Sequence, residues 1–181
     1  MKTKILNLRS LTWMSALVMI TIFFSCEKDP LRHCRQDPTC EYFTCKVNGE
    51  RWEPQCNSDI IFGCTPWDVQ YYRKTSGNLG MYIRNESIKQ NFTLLTRNQI
   101  LKIGENELFI NEDIQTRYSD LTKSENCVRF KIDTLVPYSF YLSRIDTISY
   151  YLTGTFHFTG KNDCGEEVQI TDGEFNLHYR F

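Results

Sequence analysis

The chain has 181 residues, of which 41% are hydrophobic and 24% are charged, and its formal net charge is −1. This length is enough for one domain with a sizeable core and too short for two comfortable ones. After the N-terminal segment no run of Lys or Arg occurs. A chain without a basic stripe lacks the electrostatic footprint of a nucleic-acid-binding protein, so we expect no nucleic-acid partner.

The N-terminal segment has the order of an export signal. Lys2, Lys4 and Arg9 supply positive charge, and an apolar run covers residues 11–24. This run is shorter than the about 20 apolar residues that a membrane-spanning helix needs. We therefore predict a cleaved signal peptide in preference to a single transmembrane anchor.

The signal ends at residues 23–26, which read FFSC. This sequence resembles the lipobox of bacterial lipoproteins, in which a small residue precedes a Cys that receives diacylglycerol. The resemblance implies a lipid on Cys26, removal of residues 1–25, and an anchor in the outer membrane with the protein periplasmic or exposed at the surface. Residues 26–40 are then expected to form a tether, and residues 41–181 a single β domain.

Eight cysteines in a chain of this length are typical of an oxidising cell envelope and unusual in a reducing cytosol. With Cys26 lipidated, at most three disulfides form and one thiol is left over, which we expect to be buried. The preferred pair is Cys127 with Cys164. No C-x-x-C pair and no zinc-like histidine spacing occur, so we predict no metal site. The candidate disulfide cysteines are Cys34, Cys40, Cys45, Cys56, Cys64, Cys127 and Cys164.

The chain after Cys40 alternates between apolar and polar residues with the period of a β-strand. In residues 41–47, Phe43, Cys45 and Val47 fall on one face. The dipeptide Asn48-Gly49 tolerates positive φ and predicts a hairpin turn before the strand resumes. Further short strands are predicted at residues 79–84, 92–96, 107–111 and 128–132.

The C-terminal third has the clearest alternation. One strand is predicted over residues 148–159 and a second at residues 168–170. Residues 171–173 predict a turn, and a last strand is predicted over residues 174–181. The three strands would then form a meander. The side chains expected to face the core are Ile148, Tyr150, Leu152, Phe156, Phe158, Phe175, Leu177, Tyr179 and Phe181.

After the signal, no segment sustains a helical period of apolar residues, apart from a short turn near residues 119–124. The predicted fold class is therefore all-β. An antiparallel β-sandwich is favoured, and a small closed β-barrel of the lipocalin-like kind is the alternative.

Two segments carry a family resemblance. Residues 43–52 read FTCKVNGERW, and residues 152–158 (LTGTFHF) are followed by residues 168–175 (VQITDGEF). These segments resemble the opening "F-x-A-x-V-N-G-x-x-W" and the closing "G-x-F-x-F … V-x-I-T-D-G-x-F" of a family of small uncharacterised Bacteroidetes lipoproteins. The resemblance implies a β fold and a lipid anchor, and it brings no activity.

The sequence contains none of the common catalytic motifs, and we predict a protein that is not an enzyme and has no cofactor. Glu166 and Glu167 are adjacent, so a strand points them to opposite faces. His157 and His178 fall on the expected solvent faces of C-terminal strands, where they could be neighbours across the sheet. We favour the interpretation that both histidines lie on the solvated surface and do not form a ligand pair.

Aromatic residues are the most suggestive feature, since the chain has 12 Phe, 10 Tyr and 3 Trp. Trp67, Tyr71 and Tyr72 lie in a polar stretch and are candidate ligand-facing rings, although a role in capping a sheet face is favoured. Two functions remain open. The first is an envelope module that binds a glycan, peptide or protein partner, and exposed rings would support it. The second is a lipocalin-like carrier of a small apolar ligand, which requires a roomy apolar interior.

Overall fold

The structure is a computed structural model that describes residues 31–57, 64–72, 78–96, 100–110 and 115–180, without the side chain of Tyr72. The predicted signal peptide and Cys26 lie outside the described residues. No helix within these ranges is long and apolar enough to span a membrane. From Cys34 onward, the described residues form one compact unit.

The described residues form a short helix and eleven strands. The helix α1 spans Arg32–Gln36, and a 3₁₀ turn covers Glu125–Cys127. The strands are β1 (Tyr42–Val47), β2 (Glu50–Trp52), β3 (Trp67–Tyr72), β4 (Asn78–Asn85), β5 (Gln90–Thr96), β6 (Gly104–Glu105), β7 (Arg117–Asp120), β8 (Arg129–Ile132), β9 (Ser139–Asp146), β10 (Tyr151–Lys161) and β11 (Glu167–His178).

The strands pair in one antiparallel sheet with the order β2-β1-β11-β10-β8-β7-β5-β4-β3. The sheet forks at β10. The first part of β10 pairs with β9, where Tyr151 lies opposite Asp146, and its end pairs with β8, where Gly160 lies opposite Ile132. The short strand β6 extends the sheet beyond β9.

The sheet is strongly curled and forms a half-barrel, which confirms the all-β prediction. Backbone contacts also join parts of the sheet that are not neighbours in this order. The amide of Tyr71 on β3 donates to the carbonyl of Arg180 (2.9 Å), and the amide of Arg180 donates to the carbonyl of Val69 (2.9 Å). A second bridge links Gln55 to Asn85. The first two contacts bring the edge strand β3 against the residues that follow β11, and the bridge brings the segment after β2 against the end of β4.

Aromatic rings fill the inside of the curl. Phe92 lies at its centre, with ring centroids 4.8 Å from Trp52 and 5.2 Å from Tyr118. The rings of Phe43, Phe156 and Phe158 lie within 6.4 Å of the same side chain. All of these side chains are buried. The strand alternation produces this result because every second residue of each strand points into the curl.

The first hairpin agrees with its sequence pattern. Phe43 and Cys45 of β1 are buried in the core. Asn48 and Gly49 have φ of 52° and 84°, which is the positive φ that a tight hairpin turn requires. The carboxamide of Asn48 also accepts a hydrogen bond from the amide of Gln169 (2.8 Å). This bond links the turn to β11, the strand that pairs with β1 in the sheet.

The strand predicted at residues 107–111 is wrong for its described part, because residues 106–110 are an irregular loop. The buried carboxamide of Asn106 organises this loop. Its Nδ2 donates to the carbonyl oxygens of Lys102 and Gly104, both at 2.8 Å. Such side-chain bonds occupy backbone groups that a strand would use in its ladder. The nearest strand is β6, which ends before this residue.

The strand predicted from residue 148 begins too early. Ile148 is 88% exposed and Tyr150 has φ of 60°. Both belong to the turn between β9 and β10, where the Asp146 carboxylate accepts bonds from the amides of Ile148 and Ser149 (each 2.9 Å). The Ser149 amide, the Arg144 side chain and the Ile148 amide lower the pKa of Asp146 to about 2. Ile148 and Tyr150 are therefore not core residues.

The turn predicted at residues 171–173 is also wrong, since β11 runs through this segment without a break. The residues form a bulge, with Asp172 at φ 51° and shifts in the register against both β1 and β10. A Cβ on Gly173 would lie 2.5 Å from the carbonyl oxygen of Phe156. Glycine is thus required here by close backbone approach, and the C-terminal strands are two long ones, not three.

The expected turn near 119–124 lies where β7 ends, just before the 3₁₀ turn.

Candidate functional site

Three disulfides join the described cysteines, and they pair Cys34 with Cys40, Cys56 with Cys64, and Cys127 with Cys164. The pairing of Cys127 with Cys164 is the one predicted from the sequence. Cys45 is a correction to the list of candidate disulfide cysteines, because it is free and buried. Burial raises the pKa of its thiol, so this cysteine is a small core residue and not a reactive nucleophile.

The disulfide loop closed by Cys34 and Cys40 lies against the sheet. The Asn176 carboxamide on β11 donates to the carbonyl oxygens of Pro38 (3.1 Å) and Cys40 (2.8 Å). The hydroxyl of Tyr151 donates to the carbonyl oxygen of Thr39 (3.1 Å). Part of the segment expected to be a tether, residues 34–40, is therefore docked on β10 and β11. The predicted domain boundary at residue 41 therefore comes after residues that already belong to the compact unit.

The aromatic residues predicted to face a ligand lie mostly on the core side of β3. Tyr71 is 2% exposed, and its ring packs against Tyr179 with centroids 5.6 Å apart. Trp67 is partly buried and packs against the core. The side chain of Tyr72 lies outside the described part of the structure. Tyr71 is therefore corrected from a candidate ligand contact to a core residue.

The opposite face of the same strands carries an open groove, which we call the β3–β5 groove. Its volume is about 380 Å³. Asp68, Tyr82 and Thr93 lie side by side on β3, β4 and β5, and the next row along holds Gln70, Gly80 and Leu95. The lining residues are Asp68, Gln70, Asn78, Leu79, Gly80, Met81, Tyr82, Thr93, Leu95, Thr96 and Phe109.

Two features make this surface concave. Gly80 has no side chain where its neighbours in the row carry long ones, so the sheet is exposed between Gln70 and Leu95. Phe109 forms a wall, because the loop that carries it is tied to β5. The Phe109 amide donates to the carbonyl oxygen of Leu95 (2.7 Å), and the Phe109 carbonyl accepts from the amide of Thr116 (3.0 Å).

The groove combines apolar surface with oriented polar groups. Tyr82 is 45% exposed, the largest exposed fraction among the lining aromatic side chains. At the rim, Gln70 Nε2 donates to Asp68 Oδ2 (3.0 Å), and the Arg180 guanidinium lies 3.5 Å from the other Asp68 oxygen. A tyrosine face beside a carboxylate, a carboxamide and the hydroxyl of Thr93 suits a ligand with one apolar face and several hydroxyl groups.

A second cavity of about 590 Å³ lies at the end of the curl near the β1–β2 turn. Its floor is made by Trp52, Tyr118 and Phe130, which are already buried in the core. Desolvation by burial, followed by the Asp120 charge, raises the pKa of the Tyr118 hydroxyl. On its rim, Lys123 and Glu166 form an ion pair at 2.9 Å. The aromatic side chains that line this opening are buried, whereas Tyr82 of the β3–β5 groove is 45% exposed, so the groove is the better candidate ligand site.

The structure does not bring the candidate acid–base residues together. His157 lies opposite Ser139, whereas His178 lies opposite Tyr151 at the other end of β10, so the two histidines are not cross-strand neighbours. Each of Glu166 and Glu167 pairs with a lysine. The bonds from Lys123 and Asn162 lower the pKa of Glu166. Among the described residues, no group of three or more His, Cys, Asp or Glu is placed to hold a metal ion.

Comparisons with protein-family models, with curated proteins and with solved structures find no match to this chain.

Proposed function

We propose that this protein is a lipoprotein of the cell envelope, anchored in the outer membrane through a lipid on Cys26, whose β domain binds an oligosaccharide without catalysing a reaction. The export signal, the FFSC sequence and the resemblance to small Bacteroidetes lipoproteins support the anchor. The three disulfides support an oxidising compartment.

The binding proposal rests on the β3–β5 groove. An exposed tyrosine ring offers a flat apolar face that can stack on a sugar ring and loses little conformational entropy on binding. Asp68 and Gln70 hold each other in fixed orientations at the rim, where they can bond to sugar hydroxyls. The lining residues span three adjacent strands and the loop that carries Phe109, and we expect this surface to hold more than one sugar ring.

The filled interior is evidence against the alternative function, which is a carrier of a small apolar ligand. A lipocalin-like carrier needs a cavity among its inward-facing side chains. Here Phe92, Phe156 and Phe158 occupy that space, with ring centroids about 6 Å apart. The cavity at the end of the curl stops at Trp52, Tyr118 and Phe130, and none of these three phenylalanines lines it.

Replacement of Tyr82 by Ala tests the groove. We expect affinity for the best-binding member of a panel of linear oligosaccharides to fall about tenfold, because stacking on an aromatic ring contributes about 0.5–1.5 kcal/mol beyond burial of its area. Titration calorimetry on the full-length protein in detergent measures the change.

The matched control is Tyr141→Ala on β9, since Tyr141 is also exposed (40%) and does not line the groove. The control should bind as the wild type does. Equal affinity of the wild type and the Tyr82 variant, or loss in both variants, would rule out the groove as the binding site.

A further inference from the structure

The face that carries the β3–β5 groove continues onto β7 and β8 with two arginines. Thr93 of the groove lies opposite Arg117, and Arg117 lies opposite Lys131. Arg129 lies opposite Ser119, two residues along from Arg117. Arg117 and Arg129 are therefore diagonal neighbours on one face, a separation of about 7–8 Å between backbones. We call these two residues the arginine pair.

The charge of the arginine pair is not compensated within the described residues. The Nε of Arg117 is buried and has no hydrogen-bond partner. Burial and the charge of Arg129 both lower the pKa of Arg117. By contrast, Lys131 pairs with Asp163 (3.4 Å) and Lys161 pairs with Glu167 (3.3 Å) on the same sheet.

An arginine that is partly buried beside another arginine, with no carboxylate partner among the described residues, is an unfavourable arrangement. An anion would relieve it. The planar guanidinium donates two parallel hydrogen bonds to a carboxylate or sulfate group, which makes arginine the preferred residue for such ligands. Because Thr93 and Tyr82 connect the pair to the groove, one ligand can occupy both places.

We propose that the arginine pair binds the acid group of an acidic oligosaccharide whose neighbouring sugar rings lie in the β3–β5 groove. This inference rests on the proposed function and names its ligand class. Tyr82 then stacks on a sugar ring, and Arg117, which lies two strands away across Thr93, holds the acid group. Ligand affinity depends on salt, since counterions compete for the exposed part of the arginine pair.

The test compares uronate-containing oligosaccharides with their carboxyl-reduced forms, which differ only in charge. Binding to the full-length protein in detergent is measured for the wild type, Arg117→Gln and Arg129→Gln. The control is Arg51→Gln, which removes an equal charge from an exposed arginine paired with Glu53. Circular dichroism verifies the fold of each variant, and Arg129→Gln serves if loss of the half-buried Arg117 prevents folding.

We expect the acidic form to bind at least about tenfold more tightly than the reduced form, because hydrogen bonds between a guanidinium and a carboxylate are stronger than those to a neutral hydroxyl. This preference should disappear in Arg117→Gln and Arg129→Gln and persist in Arg51→Gln. Equal binding of the two forms to the wild type would overturn the inference and leave the proposed function standing. Binding of neither form would overturn both.

Discussion

Replacement of Phe92 by Ala is expected to lower the free energy of unfolding by about 3–5 kcal/mol, the range for removal of a fully buried phenylalanine. The side chain is 0% exposed and contacts the rings of Phe43, Trp52 and Tyr118. Its loss leaves a cavity that these rings can only partly close. Urea denaturation of the wild type and the variant measures the difference.

A matched control for this variant is Leu135→Ala, because Leu135 is 92% exposed and its removal should change stability by less than about 0.5 kcal/mol. Comparison of the wild type with Phe92→Ala also separates the two functions that the sequence leaves open. If Phe92→Ala were as stable as the wild type, and the wild type bound small apolar molecules, the interior would be a ligand cavity and the filled-core description would be wrong.

Removal of the disulfide between Cys127 and Cys164 is expected to cost about 4 kcal/mol on the chain-entropy model, because it closes the longest loop of the three disulfides, with a sequence separation of 37. Both cysteines are changed to Ser so that no new free thiol remains. Thermal or urea unfolding of the double variant measures the loss.

The double variant Cys34→Ser, Cys40→Ser provides the comparison. Its loop has a sequence separation of 6, for which the same model gives about 2 kcal/mol. In this variant the carbonyl oxygens of Pro38 and Cys40 can still accept hydrogen bonds from Asn176. The backbone of the segment should therefore keep its contacts with the sheet. A larger loss from the shorter loop than from the longer one would contradict the entropic account.

The sequence was most informative where a strand has one buried face and an unambiguous turn. In β1, the alternation of Phe43 and Cys45 with polar residues, followed by Asn48 and Gly49, predicts both the buried face and the hairpin. The last strand behaves similarly, since Phe175, Leu177 and Tyr179 are all buried. Period-two patterning sufficed in these places because local and tertiary preferences agree.

Other elements depend on contacts that a linear pattern does not contain. The apolar Ile148 continues the alternation of β10, yet the Asp146 carboxylate turns the chain before this residue can join the strand. The residues around Asp172 and Gly173 have turn chemistry, but close approach of Phe156 makes them a bulge within β11. Strands β3, β7 and β9 were not predicted, since polar residues on their outer faces conceal the alternation.

The candidate site was missed for a related reason. The sequence points to the aromatic residues around Tyr71 on strand β3, but the side of this strand that lines the groove carries Asp68 and Gln70 instead. Tyr82 and Phe109 reach the groove from other elements, and Arg117 joins it only through pairing of β5 with β7. Such a surface is assembled from residues distant in sequence, so that the register of the sheet is needed to find it.

The measurement that tests the account most directly is the intact mass of the protein extracted from its native membrane, compared with Cys26→Ser, with alkylation before and after unfolding. We expect a lipid-sized increment that the variant lacks. Six of the seven remaining thiols should be protected as disulfides, and Cys45 should react only after unfolding, because it is free and buried. Absence of the increment from the wild type, or protection of all eight cysteines, would contradict the lipid anchor and the disulfide pattern on which the proposed envelope function depends.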